Sequence, residues 1–352
     1  MAYTTIDKPS DYFNTKLYTG NGSTQSITGV GFQPNWVWIK NSTAAENHFI
    51  FDSVRGALNV LKSNSSGSAG DTPDSLTAFT SDGFNLGNLE DTNRSGNAVA
   101  SWNWKAGTSV SGNTTGSGSA KAYTGSVSTT AGFSIIRYLG NGTNGHTIPH
   151  HLGAAPRWIL VKRLDSSSGG DWTVLHMGLP NGAGDFMELN ATGAKQTSSA
   201  RWRDATPTSS VFTVASGVEV NGDDSPYIAY VFAEKQGYSK FGSYTGNGNA
   251  SGPMIVTGFS PAWLIIKKAT GAANSWFIID NKRSPFNVSL DFLLADTSDA
   301  NATGSQERDL LSNGFKIRNS NNGLNTSGET YIYMAFAEQP FVSSSGVPAT
   351  AR

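Results

Sequence analysis

Pro34-Asn35-Trp36-Val37-Trp38-Ile39-Lys40 is an apolar run that the chain writes three times. It returns as Pro156-Arg157-Trp158-Ile159-Leu160-Val161-Lys162 and as Pro261-Ala262-Trp263-Leu264-Ile265-Ile266-Lys267. Proline can open a strand without costing a ladder hydrogen bond. Apolar residues at consecutive positions then describe a strand buried on both faces or passing between sheets. Trp36, Trp158 and Trp263 share one slot, which marks them as structural anchors rather than ligand platforms, each third of the chain being expected to fold around its own.

The repetition extends outward from this run. Upstream stand Tyr18-Thr19-Gly20-Asn21-Gly22, Tyr138-Leu139-Gly140-Asn141-Gly142 and Tyr244-Thr245-Gly246-Asn247-Gly248. Each reads as a strand end entering a tight turn, because Asn-Gly takes the positive φ of a hairpin. Downstream come Phe49-Ile50-Phe51-Asp52, Thr173-Val174-Leu175-His176 and Phe277-Ile278-Ile279-Asp280, with Trp172 and Trp276 matched by His48. Ala100-Ser101-Trp102-Asn103-Trp104, Ala229-Tyr230-Val231-Phe232 and Tyr333-Met334-Ala335-Phe336 close the three copies.

A period of this size with short strands and polar turns predicts an all-β protein of three tandem divergent repeats. Each repeat is expected to be a β-sandwich, jelly-roll-like or concanavalin-like, of about 100 residues. The expected division is an N-terminal arm (1–11), repeat 1 (12–106), a Gly/Ser/Thr linker (107–131), repeat 2 (132–236), repeat 3 (237–340) and a C-terminal tail (341–352). Repeats 2 and 3 are joined so closely that they should pack together. The arms are expected to order only on docking.

Composition agrees. Of 352 residues, 37% are hydrophobic and 14% charged, with 40 glycines. That mixture suits strands and turns better than helices or disorder. The formal net charge of −1, without a basic stripe, argues against nucleic acid. No apolar run is long enough for a membrane helix, and Met1 to Lys8 lacks a secretory pattern. With no cysteine, disulfides and thiolate metal sites are excluded.

Candidate sites are few. His146, His150 and His151 lie close in sequence but bring no carboxylate or thiolate with them, and so read as a polar loop. Asp52/Arg55 and Asp280/Arg283 share a spacing that reads as a bidentate pair closing a turn. Asn221-Gly222-Asp223-Asp224-Ser225 reads as a hairpin turn rather than a calcium loop. Only Trp202, in Ala200-Arg201-Trp202-Arg203-Asp204, stands outside the repeated pattern. It is the candidate surface contact, together with Arg201 and Arg203. No nucleophile, base and orienting group assemble into a catalytic set, and no cofactor or metal site is nominated.

Several further blocks carry a family resemblance. They are Tyr3-Thr4-Thr5-Ile6-Asp7 with Leu17-Tyr18-Thr19-Gly20-Asn21-Gly22, then Thr130-Ala131-Gly132-Phe133-Ser134-Ile135 and Ala205-Thr206-Pro207-Thr208-Ser209-Ser210-Val211-Phe212. Ala233 to Ser243, Tyr331 to Glu338 and Gly346 to Arg352 continue the series. Over nearly its whole length the chain resembles a large family of tailed-phage proteins, abundant in marine and cyanobacterial phages. The resemblance implies a virion-associated protein, often labelled tail-fibre-like, whose repeated unit has no known function, and it transfers no catalytic residue. His146 to His151 departs from that family's usual Ile-Gly-His-Gly-like turn. The expectation is therefore a non-enzymatic virion protein on the particle exterior, present in several copies or as a homo-oligomer. Its partners would be other tail or capsid proteins and a host-surface glycan or protein. A tail fibre or appendage leads. The alternatives are a head decoration or cement protein and, further off, a virion polysaccharide depolymerase.

Overall fold

The structure, a computed structural model, describes residues 3–166 and 170–350. It is an all-β protein with a few single helical turns. The same sheet is built three times. In unit 1 the strand order is Phe13–Thr19, Ala98–Trp104, Trp36–Asn41, Phe49–Asp52, Gly56–Lys62. Unit 2 repeats it with Phe133–Leu139, Pro226–Phe232, Trp158–Arg163, Thr173–His176 and Asp185–Glu188. Unit 3 repeats it with Ser239–Thr245, Thr330–Pro340, Phe259–Lys268, Trp276–Asp280 and Ser289–Leu294. All pairings within these sheets are antiparallel, and Trp36, Trp158 and Trp263 lie opposite Trp104, Phe232 and Phe336.

Each sheet is apolar on both faces, which explains the unbroken apolar runs. Val37 and Ile39 face a small sheet made of Gln25–Ile27, Gly83–Leu86 and Leu76–Thr80, closing the sandwich of unit 1. Ile159 and Val161 do the same in unit 2, and Leu264 and Ile266 in unit 3. The alternate residues, Trp36, Trp38, Trp158, Leu160, Trp263 and Ile265, point the other way into one core shared by all three units. The expectation of an independent anchor inside each sandwich is thereby corrected. The Trp slot lies outside each unit's own core because its face has no second sheet to cover it except its neighbours.

The neighbours are arranged cyclically. Trp36 stacks on Tyr230 of unit 2 at 4.7 Å between ring centroids, Trp158 meets Trp276 of unit 3 at 5.9 Å, and Trp263 meets Trp104 of unit 1 at 5.4 Å. Hydrogen bonds follow the same rule. Ala69 N–H donates to Leu164 O, Lys195 N–H to Ala269 O and Asn301 N–H to Ser42 O. These are equivalent positions, and together they close a ring with approximate threefold symmetry.

Two other expectations are corrected. The stretch 107–131 is a hairpin and not a linker: Thr108–Asn113 pairs with Ala122–Ser128, which lies along Phe133–Leu139 and extends the sheet of unit 2. Its Ser, Thr and Val residues are as compatible with strands as with coil, and Tyr123 and Val127 are buried in the core of unit 2. The N-terminal arm docks on its own chain: Ile6 enters the shared core, the Tyr3 hydroxyl donates to Gly258 O, and Thr4 Oγ1 donates to Gln236 O. Ser344 N–H donates to Asp7 Oδ1, so both chain ends meet at unit 3. Residues 1–2 and 351–352 of the two arms lie outside the described residues.

Candidate functional site

The repeated charged and polar residues are committed to structure. The Tyr-x-Gly-Asn-Gly block forms no local hairpin; it closes a clasp with a helical turn far along the chain. In unit 1 the Tyr18 hydroxyl donates to Thr92 O, and Asn21 N–H donates to Asn93 Oδ1 at 2.9 Å. Asn93 Nδ2 returns bonds to Asn21 Oδ1, Ser23 O and Gly87 O. Asn221 and Asn325 repeat this set on Asn141 and Asn247. The first glycine is required by contact: a Cβ on Gly20 would stand 2.2 Å from Arg94 O. The second is required by conformation, with φ of +68° at Gly22. Asn221 therefore ends a helical turn and clasps Asn141. Asp223 and Asp224, expected in a hairpin, pair with Lys121.

The closing Lys of each Trp run is buried at a unit boundary. Lys40 Nζ donates to Ser298 O of unit 3, Lys162 to Ser66 O of unit 1 and Lys267 to Thr192 O of unit 2. Burial pushes all three ammonium groups down to about 8. The Trp/His slot bridges the same boundaries. Trp172 Nε1–H donates to Lys62 O, Trp276 Nε1–H to Glu188 O, and His48 Nε2–H to Leu294 O.

The Asp-x-x-Arg pairs close their turns and also face the next unit. Asp52 is paired with Arg55 and accepts from the Tyr230 hydroxyl at 2.7 Å. Asp280, paired with Arg283, accepts from Trp102 Nε1–H at 3.2 Å. The equivalent partner at the third boundary is Met334, which cannot donate, and there His176 replaces Asp and donates to Tyr333 O instead.

Trp202 is not a surface contact. It is 1% exposed, packs edge-on against Phe212 in the core of unit 2, and sits in the turn Ser199–Trp202. One helical turn puts it inward, leaves Arg201 half-buried and turns only Arg203 fully outward. Arg201 pairs with Glu219 at 2.7 Å and covers the Phe186 ring, while Arg203 is exposed. All nine tryptophans are buried, which leaves no indole face for stacking on a sugar. The clustered histidines are spent separately: His146 on Asn141 and Ser117 O, His150 on Thr208 O, His151 on the Tyr123 hydroxyl. Among the described residues no three His, Cys, Asp or Glu side chains gather as a metal site.

With the repeated positions committed, the candidate site is where the threefold pattern is broken. The turn after Asp52 is 53–55, while the turns after His176 and Asp280 are equally long, 177–184 and 281–288. The turn of unit 2 buries Leu179 and Ala183, whereas that of unit 3 carries Pro285-Phe286-Asn287 outward. Phe286 is 81% exposed, yet its loop is fixed at both ends. Arg283 binds Asp280 Oδ2 at 2.6 Å and Asn301 Oδ1 at 2.6 Å. Asn287 exchanges two 2.8 Å bonds with the backbone of Leu310. Phe286 is thus a projecting aromatic on a pre-set loop. It borders an open cleft of about 570 Å³ lined also by Pro285, Asn287, Glu338, Gln339 and Thr350. Unit 3 also exposes Val256 and Val288, and Phe341 and Val347 are exposed just beyond it, close to where the chain ends meet. The signal in the sequence is Pro285-Phe286-Asn287, an aromatic in a turn where the other two copies have none; a single Phe in a polar stretch is a weaker mark than a Trp that recurs three times.

The family model described as Domain of unknown function (DUF7483) matches residues 8–340, and the chain belongs to that family. No curated protein and no solved structure matches it.

Proposed function

We propose that this DUF7483 protein is a structural component of a tailed-phage particle, a tail fibre or appendage protein contributing to host-surface attachment. The family resemblance read from the sequence supports the phage setting. The observation that carries the docking role is the preorganised Phe286 loop beside both chain ends, a projecting apolar anchor on a rigid support. In this reading the terminus end of unit 3 binds another virion protein. The opposite end, with its three Asn-clasped loops, faces outward and makes polar contacts that gain strength from copy number. The protein acts by binding, and its buried ion pairs and lysines hold units together rather than serve chemistry.

A head decoration or cement role is the alternative, favoured by the approximate threefold ring, which fits over a threefold position of a shell. Immunogold labelling of intact particles separates the two. Label on the tail is expected, and label spread over the head would overturn the fibre reading. Particles carrying Phe286→Ser should lose the protein, whereas normal incorporation would remove the docking role of the loop. Release of reducing ends from host polysaccharide by the purified protein would favour the depolymerase instead.

A further inference from the structure

The three boundaries of the ring are built alike but not from equal residues, and two of them rest on a buried neutral histidine bonded to unit 3. At the boundary of units 1 and 3, His48 stands where the others have Trp. Its Nδ1 accepts from Trp38 Nε1–H at 2.9 Å and its Nε2–H donates to Leu294 O at 3.0 Å, which fixes the tautomer. At the boundary of units 2 and 3, His176 Nδ1 accepts from Gly178 N–H at 2.8 Å and Nε2–H donates to Tyr333 O at 3.0 Å. The boundary of units 1 and 2 has Trp172 on Lys62 O and the Tyr230–Asp52 bond in these places, and no histidine.

From this asymmetry we propose that His48 and His176 form an acid-sensitive latch whose protonation loosens the two boundaries of unit 3 while leaving the boundary between units 1 and 2 intact. Protonation puts a second N–H on each ring, facing the Trp38 indole N–H in one case and the Gly178 amide in the other. A donor-to-donor clash replaces a hydrogen bond at both rings.

Neighbouring charges offer no compensation. Lys40 and Arg283 lie near His48, and Arg157 lies near His176; each disfavours the cation, and burial disfavours it most. The nearby carboxylates serve other cations: Glu46, Asp91 and Asp299 act on Lys40, Asp280 pairs with Arg283, and Glu234 pairs with Arg157. Both rings are held below the ordinary histidine value, His176 down to about 4. A group depressed in the closed state stabilises closure fully above its free value of about 6.5, and loses that contribution as pH falls toward the closed value. The tie between the chain ends, Asp7 on Ser344, keeps its charge through this window because its carboxyl is held below the usual range. Unit 3 therefore loosens at its two boundaries while the chain-end tie holds.

Hydrogen exchange on the full chain, corrected for intrinsic rates, tests this at about pH 7.5 and about pH 5. Segments 42–48, 173–178, 294–301 and 331–335 should lose protection about tenfold or more, while 62–69 with 162–164 holds. His146 and His150 are also buried, within the unit 2 sandwich, so loosening confined to 146–152 and 208–214 would be theirs and would count against the latch. The paired variant His48→Gln/His176→Gln should abolish the selective loss. Equal loss at all three boundaries in the wild type, a readout that needs no variant, would overturn the proposal, as would persistence of the loss in the paired variant.

Discussion

Asn93, Asn221 and Asn325 show how much of this fold hangs on single side chains. Each is buried, accepts one backbone N–H and donates to three oxygens, at least two of them backbone carbonyls, across a loop that has no other regular structure. Removing the amide from Asn221 takes this partner from the Asn141 N–H and from the Thr143 and Ala215 carbonyls, while Asn141 Oδ1 keeps the Thr143 N–H. At about 1 kcal/mol per buried bond, Asn221→Ala should cost about 3–5 kcal/mol in urea unfolding. Asn221→Asp keeps the acceptor and loses the donors, and should cost nearly as much. A loss below about 1 kcal/mol would show that the clasp is ornamental. The two glycines of the block should separate in the same assay. Gly22→Ala should cost about 1 kcal/mol for its left-handed backbone. Gly20→Ala, whose new methyl would overlap the Arg94 carbonyl, should cost well over about 2 kcal/mol. Repetition made the Tyr-x-Gly-Asn-Gly block legible in the sequence. Its partner was not, because an Asn some 70–80 residues away in a polar turn looks like any other Asn.

Between strands, the boundary lysines give a pH dependence of known sign. In the folded protein Lys40, Lys162 and Lys267 are pushed down to about 8, while in the unfolded chain they return to about 10.4. The unfolded chain therefore binds more protons between those values, and stability should rise as pH increases from about 8 toward about 10. Each lysine contributes at most about 2–3 kcal/mol to that rise. Lys162→Met should flatten the slope by about a third. It should also lower stability at neutral pH, because the carbonyls of Ser66 and Gly170 lose their donor. A slope unchanged in Lys162→Met would place the titration elsewhere. These lysines were visible in the sequence as the closing residue of each Trp run, but their destination was not. An apolar strand ending in Lys reads as one that surfaces, and only the neighbouring unit turns that end into an interior. The same ambiguity hid the hairpin at 107–131, whose Ser/Thr/Gly content fits a solvated linker and an exposed edge strand equally well.

At the scale of the molecule, the alternation within the Trp runs decides whether three domains or one body results. A sheet apolar on both faces needs two covers, and the small sheet of each unit supplies only one. The sequence shows the apolar run but not which of its faces meets a foreign partner, so the shared core could not be read from it. The consequence is measurable. A fragment of residues 107–236, which keeps the hairpin of unit 2, would expose Phe133, Ile135, Trp158, Leu160, Val174, Ile228, Tyr230 and Phe232 on its open face, all of them now in the shared core. Losing burial of that set costs on the order of 10–20 kcal/mol, as much as the whole stability of an ordinary domain. The fragment should therefore not exist as a folded monomer. In circular dichroism and light scattering it should be either without a cooperative melting transition or self-associated through that face. The full chain near neutral pH should unfold in one transition, because no unit can leave the ring without opening the core of the other two. A monomeric 107–236 fragment that melts cooperatively would return the molecule to three independent sandwiches, and the ring would then be packing rather than folding.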